Sequence, residues 1–215
     1  MYYRVRKELI INKSKTIIVI LAGGQSRRFG GGYKTLYTFN KISILDRIIQ
    51  NFKKLEVEIV LNANSNEDQF LKTGLHLIKD ELENFQGPLA GICSSMKWVL
   101  ENRKNIEWIF TSPSDTPFLN KNLVNKFLST NYNNKTKIVI AKSSNKTHPV
   151  IGFWHISLIK SLEEFLAKEN RKIMHWVEGQ NYEILNFENK NFFFNINTKA
   201  DLEEAIKIEE SLKTL

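Results

Sequence analysis

The stretch "TIIVILAGGQSRRFGGGYKT", Thr16 to Thr35, joins an apolar run to a loop with five glycines, two arginines and a lysine. A short, continuous apolar run bounded by glycine reads as a buried strand, here "TIIVILA". The glycines permit tight turns and close backbone approach, so that N–H groups can face a phosphate oxygen. Arg28 and Lys34 add fixed positive charge. Neither familiar phosphate loop fits. A Walker A loop needs glycine at 28 and 33 before Lys34 and Thr35, where Arg28 and Tyr33 stand. The dinucleotide fingerprint begun at Gly24 meets Ser26 at its second glycine position, and Gly30, Gly31 and Gly32 match no better. A Gly-rich turn with solvated basic residues is the plain alternative, and the position directly after a buried strand argues against it.

Outward from this loop, strands alternate with helices. "SILDRIIQNFKKL" (43–55) sets Ile44, Leu45, Ile48, Ile49 and Phe52 at helical spacing. "VEIVLNAN" (57–64) reads as a strand, "EDQFLKTG" (67–74) as a short helix stopped by Gly74, and "LHLIKD" (75–80) as a strand ending at Asp80. Beyond the turn at Gly87 and Pro88, "LAGICSSMKWVLEN" reads as a helix and "IEWIFTSPSD" as a strand running into a loop at Asp115. The last third is less regular. "TKIVIAKS", "HPVIGFW", "YEILNF" and "FFFNIN" read as strands, "ISLIKSLEEFLAKEN" and "RKIMHWVEG" as helices, and Thr198 opens a terminal amphipathic helix. The alternation predicts an α/β fold, a Rossmann-like three-layer sandwich with a mostly parallel central sheet and helices on both faces. With no repeat or Pro-rich linker, residues 16–215 are expected to form one domain behind an N-terminal extension of residues 1–15, most of it peripheral.

In such a sheet, ligands bind in the crevice beyond the carboxyl ends of the strands. The loop at Gly23, Asn62, Asp80 and Asp115 would therefore line one edge. Singly, Asn62 and Asp80 are equally readable as turn or cap residues; jointly they point to a site.

Composition narrows the classes. At 215 residues the chain is long enough to bury roughly 70–75% of its unfolded surface. Cys93 is the single cysteine, which excludes an intramolecular disulfide and a zinc site built on several thiolates, and suits a reducing compartment. The run Ile17 to Ala22 is far shorter than a membrane span, and "MYYRVRKELIINKSK" lacks the apolar region of a signal peptide, so the expected setting is soluble and cytoplasmic. The net charge of +8 fits either a basic surface or a lysine-rich composition with scattered charges. No RNA-binding aromatic motif or Cys/His finger spacing supports a nucleic-acid partner.

"LAGGQSRRFGG..K" resembles the Gly-rich motif of nucleotidyltransferases, specifically the molybdenum cofactor guanylyltransferases. "VLNAN", "IKDELENFQGPLAGI", "SPSDTPFL", "HPVIGFW", "RKIM" and "FFNINTKADL" follow in that family's order, so the resemblance spans roughly Thr16 to Leu202. It implies a nucleotide-diphospho-sugar transferase-like fold and transfer of GMP from GTP to the terminal phosphate of molybdopterin, with release of pyrophosphate. It implies contact of Leu21, Ala22 and Gly23 with the nucleotide, Lys34 on its phosphates, and Asn62 and Asp80 completing the nucleotide pocket. Asp115 would contact GTP and bind Mg²⁺, while His148, Asn195 and Asn197 would lie toward molybdopterin. A monomer is expected, in transient contact with molybdenum-insertion proteins and molybdoenzyme chaperones.

The residues suit this chemistry. Mg²⁺ takes oxygen ligands, usually one or two carboxylates plus substrate phosphates, so a single Asp115 is adequate. Lys34 and Arg28 can neutralise charge that shifts toward departing pyrophosphate. The nucleophile is already a phosphate anion, so no general base is needed. His76, His155 and His175 read as core or surface residues, the four tryptophans as core or pocket walls, and Cys93 as a small buried residue. Three positions depart from the family pattern: Phe29 for Met, Ser114 for a common Cys, and Tyr33 for the Asp that usually precedes the lysine. Rival readings are a molybdopterin cytidylyltransferase, a sugar-phosphate nucleotidyltransferase, and a nucleotide-binding protein without turnover.

Overall fold

A computed structural model describes residues 8–23, 34–64, 68–80 and 87–213. Its first half contains β1 (Glu8–Leu9), β2 (Thr16–Leu21), β3 (Thr38–Phe39), β4 (Ile42–Ser43), α1 (Ile44–Lys53), β5 (Ile59–Asn62), α2 (Asp68–Leu71), β6 (His76–Ile78), α3 (Pro88–Asn102) and β7 (Trp108–Pro113). There follow α4 (Lys121–Ser129), β8 (Tyr132–Asn133), β9 (Ile138–Ser143), β10 (Lys146–His155), α5 (Ile159–Ala167), α6 (Ile173–Val177), β11 (Tyr182–Phe187) and α7 (Lys199–Lys213).

Among the described residues, seven strands form the central sheet in the order β11-β9-β10-β7-β2-β5-β6. Every pairing is parallel except those of β10, which runs antiparallel to both β7 and β9. The expected mostly parallel sheet is therefore present, with one reversed strand in it. Strand β2 shows why its sequence is continuously apolar. Ile18 and Ile20 enter one core while Ile17 and Val19 enter the other, so both faces are covered. The first core takes Ile44, Leu45, Ile48, Ile49 and Phe52 from α1, with side chains of α4 and α7. On the opposite face, Leu89, Ile92, Cys93, Met96 and Val99 of α3 pack with residues of α5 and α6. Cys93, Trp108, Trp154 and Trp176 are all buried, as read from the sequence.

The reversed strand is fastened by polar groups inside the core. Thr111 Oγ1 donates to Val150 O at 2.7 Å and accepts Trp154 Nε1–H at 2.7 Å, which satisfies a buried hydroxyl in both roles. Local signals start the helices. Ser43 Oγ accepts the Asp46 N–H at the head of α1, and Thr198 Oγ1 accepts the Asp201 N–H while Asp201 Oδ2 accepts the Thr198 N–H, a capping box that opens α7. Arg47 and Glu209 pair across α1 and α7.

The segment "FFFNIN" is not a strand. Asn189 Oδ1 accepts the Asn191 N–H and starts a 3-10 turn over Lys190–Phe193, after which residues 194–197 join no strand of the sheet. Local capping here overrides the β preference of three aromatics. Before β2, Glu8–Leu9 pairs with β8 and Ile11 is 2% exposed, so this part of the leading segment is packed onto the sheet's flank.

Candidate functional site

Parallel register brings the strand ends into line. Leu21 is opposite Asn62 on one side and Pro113 on the other, and Asn62 is opposite Ile78. With strands about 4.8 Å apart, this four-strand edge is about 14 Å long, the scale of a nucleotide. Backbone bonds carry the alignment one step further: Ala22 N–H donates to Asn62 O, Ala63 N–H to Ile78 O and Ser114 N–H to Leu21 O, at 2.8–3.0 Å. Gly23, Asn64, Asp80 and Asp115 therefore stand just beyond one carboxyl edge, where an open α/β sheet binds its ligand.

On the β5–β6 side a carboxylate is clasped. Asn62 Nδ2 donates to Asp80 Oδ1 and Asn64 Nδ2 to Asp80 Oδ2, both at 2.8 Å, and the Asp80 N–H returns a 2.8 Å bond to Asn64 Oδ1. Two amide donors fix the orientation of the Asp80 carboxylate while its remaining lone pairs can still accept bonds from a sugar hydroxyl or a base N–H. Asn62 is itself 2% exposed, and also donates to Ile78 O at 3.3 Å. Gly91, one turn into α3, makes this possible. A Cβ there would overlap Asn62 Oδ1 and stand 3.0 Å from Leu21 Cδ2. The glycine of "GPLAGI" is thus a close-approach residue that lets α3 lie against the strand ends.

On the β7–β10 side Asp115 sits in the turn after β7, partly buried. Thr116, fully buried, directs its hydroxyl at Asp115 Oδ1 (3.2 Å) and Asn195 Oδ1 (3.0 Å), and Asp115 O accepts the Ile196 N–H at 2.9 Å. The segment before α7 is in this way stitched to the acidic turn. Among the described residues no group of three His, Cys, Asp or Glu side chains could hold a metal by itself. One strand-end carboxylate with hard oxygen donors nonetheless fits Mg²⁺, which completes its shell with waters and substrate phosphates.

His148 is brought to the same side by an irregular hairpin. It pairs with Ala141, but the next register pair is Gly152 with Ile140, so residues 149–151 bulge out of the β9–β10 ladder. At Gly152 a Cβ would run into Val139 O, and only glycine permits that approach. The His148 ring stacks on Phe193 with centroids 4.4 Å apart, and its Nε2 lies 2.8 Å from Ser143 Oγ. Burial, then the nearby Lys146 charge, push its pKa down to about 4, so the imidazole is neutral at ordinary pH.

The fold thus gathers Leu21, Ala22, Gly23, Asn62 and Asp80 on one stretch of the edge, and Asp115, Asn195 and His148 on the next. Asn197 lies two residues from Asn195, with its backbone N–H given to the α7 cap through Asp201 Oδ2. Lys34 begins a 3-10 turn, Lys34–Leu36. Arg28 and Tyr33 lie outside the described residues. Asn64 closes the strand "VEIVLNAN", and Gly91 and Thr116 lie within the motifs "GPLAGI" and "SPSDTPFL", but no signal in the sequence assigns these three a role of their own, and none points to Ser143. The other histidines are structural: His76 stacks on Trp98 at 4.5 Å, His155 caps the 3-10 turn Ile156–Leu158, and His175 lies within α6.

Comparisons with known proteins establish the family and the fold. Residues 18–183 match the MobA-like NTP transferase domain. The chain is 36% identical over 193 residues to a molybdenum cofactor guanylyltransferase of Nitrobacter hamburgensis, covering 88% of this chain and 92% of that one. With its counterpart in Haemophilus influenzae it shares 34% identity over 189 residues, 87% of this chain and 96% of the relative. Among solved structures, molybdopterin-guanine dinucleotide biosynthesis protein A from Archaeoglobus fulgidus superposes with a TM-score of 0.70 at 19% identity, covering 91% of this chain and 99% of that one. A 4-diphosphocytidyl-2C-methyl-D-erythritol synthase from Anaerococcus prevotii gives 0.66 at 14% identity, over 94% and 97%. These likenesses identify the sheet and its helical layers as the nucleotidyltransferase fold.

Proposed function

The chain belongs to the MobA-like NTP transferase family, and from that premise we propose that it transfers the GMP portion of GTP to the terminal phosphate of molybdopterin, releasing pyrophosphate and forming the guanine dinucleotide cofactor. The observation that carries the reading is the aligned edge, with a clasped carboxylate at one end and an acidic turn at the other. Leu21, Ala22 and Gly23 hold the nucleotide through their backbone, and Asn62 and Asp80 receive its base and sugar. Lys34 and Arg28 bear on the triphosphate and stabilise charge on the pyrophosphate that leaves. His148, Asn195 and Asn197 face the molybdopterin.

Attack by one phosphate oxygen on the α-phosphorus of GTP brings two anions together, so the barrier is chiefly electrostatic. Positioning supplies much of the remainder: a bound pair of substrates reacts as if at very high concentration. The nucleophile is an anion already, and the chain needs no residue to remove a proton from it. Asp115 would hold Mg²⁺, which when bound neutralises phosphate charge and orients the triphosphate. Among the described residues, no helix is long and apolar enough to cross a membrane. The reading sets the enzyme in the cytoplasm as a monomer that meets molybdenum-insertion proteins and molybdoenzyme chaperones only transiently.

Incubation with molybdopterin, Mg²⁺ and each of GTP, ATP and CTP tests the proposal. A guanine dinucleotide product and pyrophosphate are expected with GTP. Preferential use of CTP overturns the specificity, and GTP binding without pyrophosphate release overturns the activity.

A further inference from the structure

Ser143 and His148 lie diagonally across the β9–β10 hairpin on one face, because Ser143 pairs with Lys146 and Ala141 with His148. Ser143 is 4% exposed, so its hydroxyl proton must find an acceptor within the protein. Among the described residues the partner of Ser143 Oγ is His148 Nε2, at 2.8 Å. A donating Ser143 makes Nε2 the acceptor, which leaves the ring proton of the neutral imidazole on Nδ1. Phe193 covers one face of the ring, at a centroid separation of 4.4 Å, and prevents it from flipping freely. The buried nitrogens and oxygens that lack a partner among the described residues are Thr35 Oγ1 and Arg47 Nε. His148 is only partly buried and its Nδ1 is not one of them, so this nitrogen is left open at the sheet edge where β10 begins.

We propose that Ser143 is a positioning residue that sets His148 in its Nδ1–H form, presenting an uncharged N–H donor to an oxygen of the phosphorylated acceptor substrate. This rests on the reading of the β7–β10 side as the place where molybdopterin binds. Beside the positive charge of Lys146, an uncharged donor adds direction to the acceptor without adding a second like charge next to the first. The arrangement explains why a serine is buried at the end of β9 and why the bulge at 149–151 is held by Gly152, since together they fix where the imidazole points.

Long-range nitrogen–proton NMR on the intact protein reads the His148 tautomer without any substrate. The Nδ1–H form is expected to dominate, and a dominant Nε2–H form overturns the proposal. In Ser143→Ala the two forms should mix, and direct titration with molybdopterin in the absence of GTP should show about 10-fold weaker binding, the loss of roughly one well-aligned hydrogen bond. Ser143→Thr, which keeps the hydroxyl, should restore both the tautomer and the affinity. An Ala variant that binds molybdopterin as tightly as the parent overturns the proposal even if the tautomer shifts. Absent guanylyl transfer with the tautomer and binding results intact would instead count against the proposed activity.

Discussion

Gly91→Ala places one methyl where α3 meets the strand ends. Alanine improves helix propensity by about 1 kcal/mol. Against that gain, the new Cβ overlaps Asn62 Oδ1 and stands 3.0 Å from Leu21 Cδ2. Asn62 is 2% exposed and has no open side to move into without turning its amide away from Asp80, giving up a 2.8 Å bond to a carboxylate. Overpacking costs about 1–3 kcal/mol and a hydrogen bond to a charged group about 1.5–3 kcal/mol. With the propensity gain subtracted and some relaxation of α3, the net loss centres near 2 kcal/mol, or about 4–8 °C in Tm for a chain of this size. Because the group displaced is the one that orients Asp80, GTP affinity should fall by about 10-fold in the same variant. Differential scanning calorimetry and calorimetric GTP titration measure the two effects on one preparation. A Gly91→Ala protein that melts at or above the parent temperature and binds GTP equally well would refute the close-approach account of this glycine.

Further consequences concern the carboxylates and the histidines. Asp115→Asn should lower kcat about 10²- to 10³-fold with the fold intact by circular dichroism, and an unchanged rate would move the metal ligand elsewhere. Asn64→Ala removes one of the two amides on Asp80 and should raise the KM for GTP several-fold with a smaller change in kcat; the reverse pattern would show that the clasp acts on the chemical step. His148 and His155 both have pKa values pushed down to about 4, by burial first and then by Lys146 and Lys137 respectively. The unfolded chain takes up these protons near pH 6.5 and the folded chain only near 4, so their contribution to stability is full above pH 6.5 and is lost as pH falls through that window. Urea midpoints should drop between pH 7 and 4.5, with a shallower drop in His155→Gln; a flat midpoint in the parent protein would contradict the assignment.

The parallel half of the sheet was legible because burial on both faces writes itself into sequence as an unbroken apolar run, and "TIIVIL" does this. Helix α1 was equally plain, with a capping serine and five apolar residues at helical spacing. Strand direction was not legible: "HPVIGFW" is apolar whichever way it runs, and only the register with Thr111 and Ile140 shows that β10 is reversed. Helix α4 is short and stands out weakly in the sequence, although Asn120 caps it by accepting the N–H groups of Asn122 and Leu123, and Leu123, Val124 and Phe127 line its buried face. The β3–β4 hairpin has two-residue strands and leaves no alternating pattern, its turn carried by Asn40 and Lys41 at φ of 48° and 66°. In "FFFNIN" the aromatic run points to a strand, whereas Asn189 just before it decides the backbone, and Asn195 stands out only through its resemblance to a family motif. Asn62, Asp80 and Asp115 followed from topology, because strand ends in a parallel sheet must converge. Ser143 could not follow from it, since its importance lies in a diagonal contact across a reversed hairpin.

On the proposed reading the reversed strand also divides the enzyme's labour. The four parallel strands β6 through β7 would serve as a reader for one substrate and the β9–β10 hairpin with β11 as an attachment for the other, joined along a seam where Thr111 holds Val150 and Trp154. Changes in the length of the turn between Ser143 and Lys146, or of the bulge at 149–151, fall wholly on the attachment. A scaffold cut this way can exchange its acceptor while keeping its nucleotide donor, which makes the hairpin the natural place to re-engineer what receives the GMP.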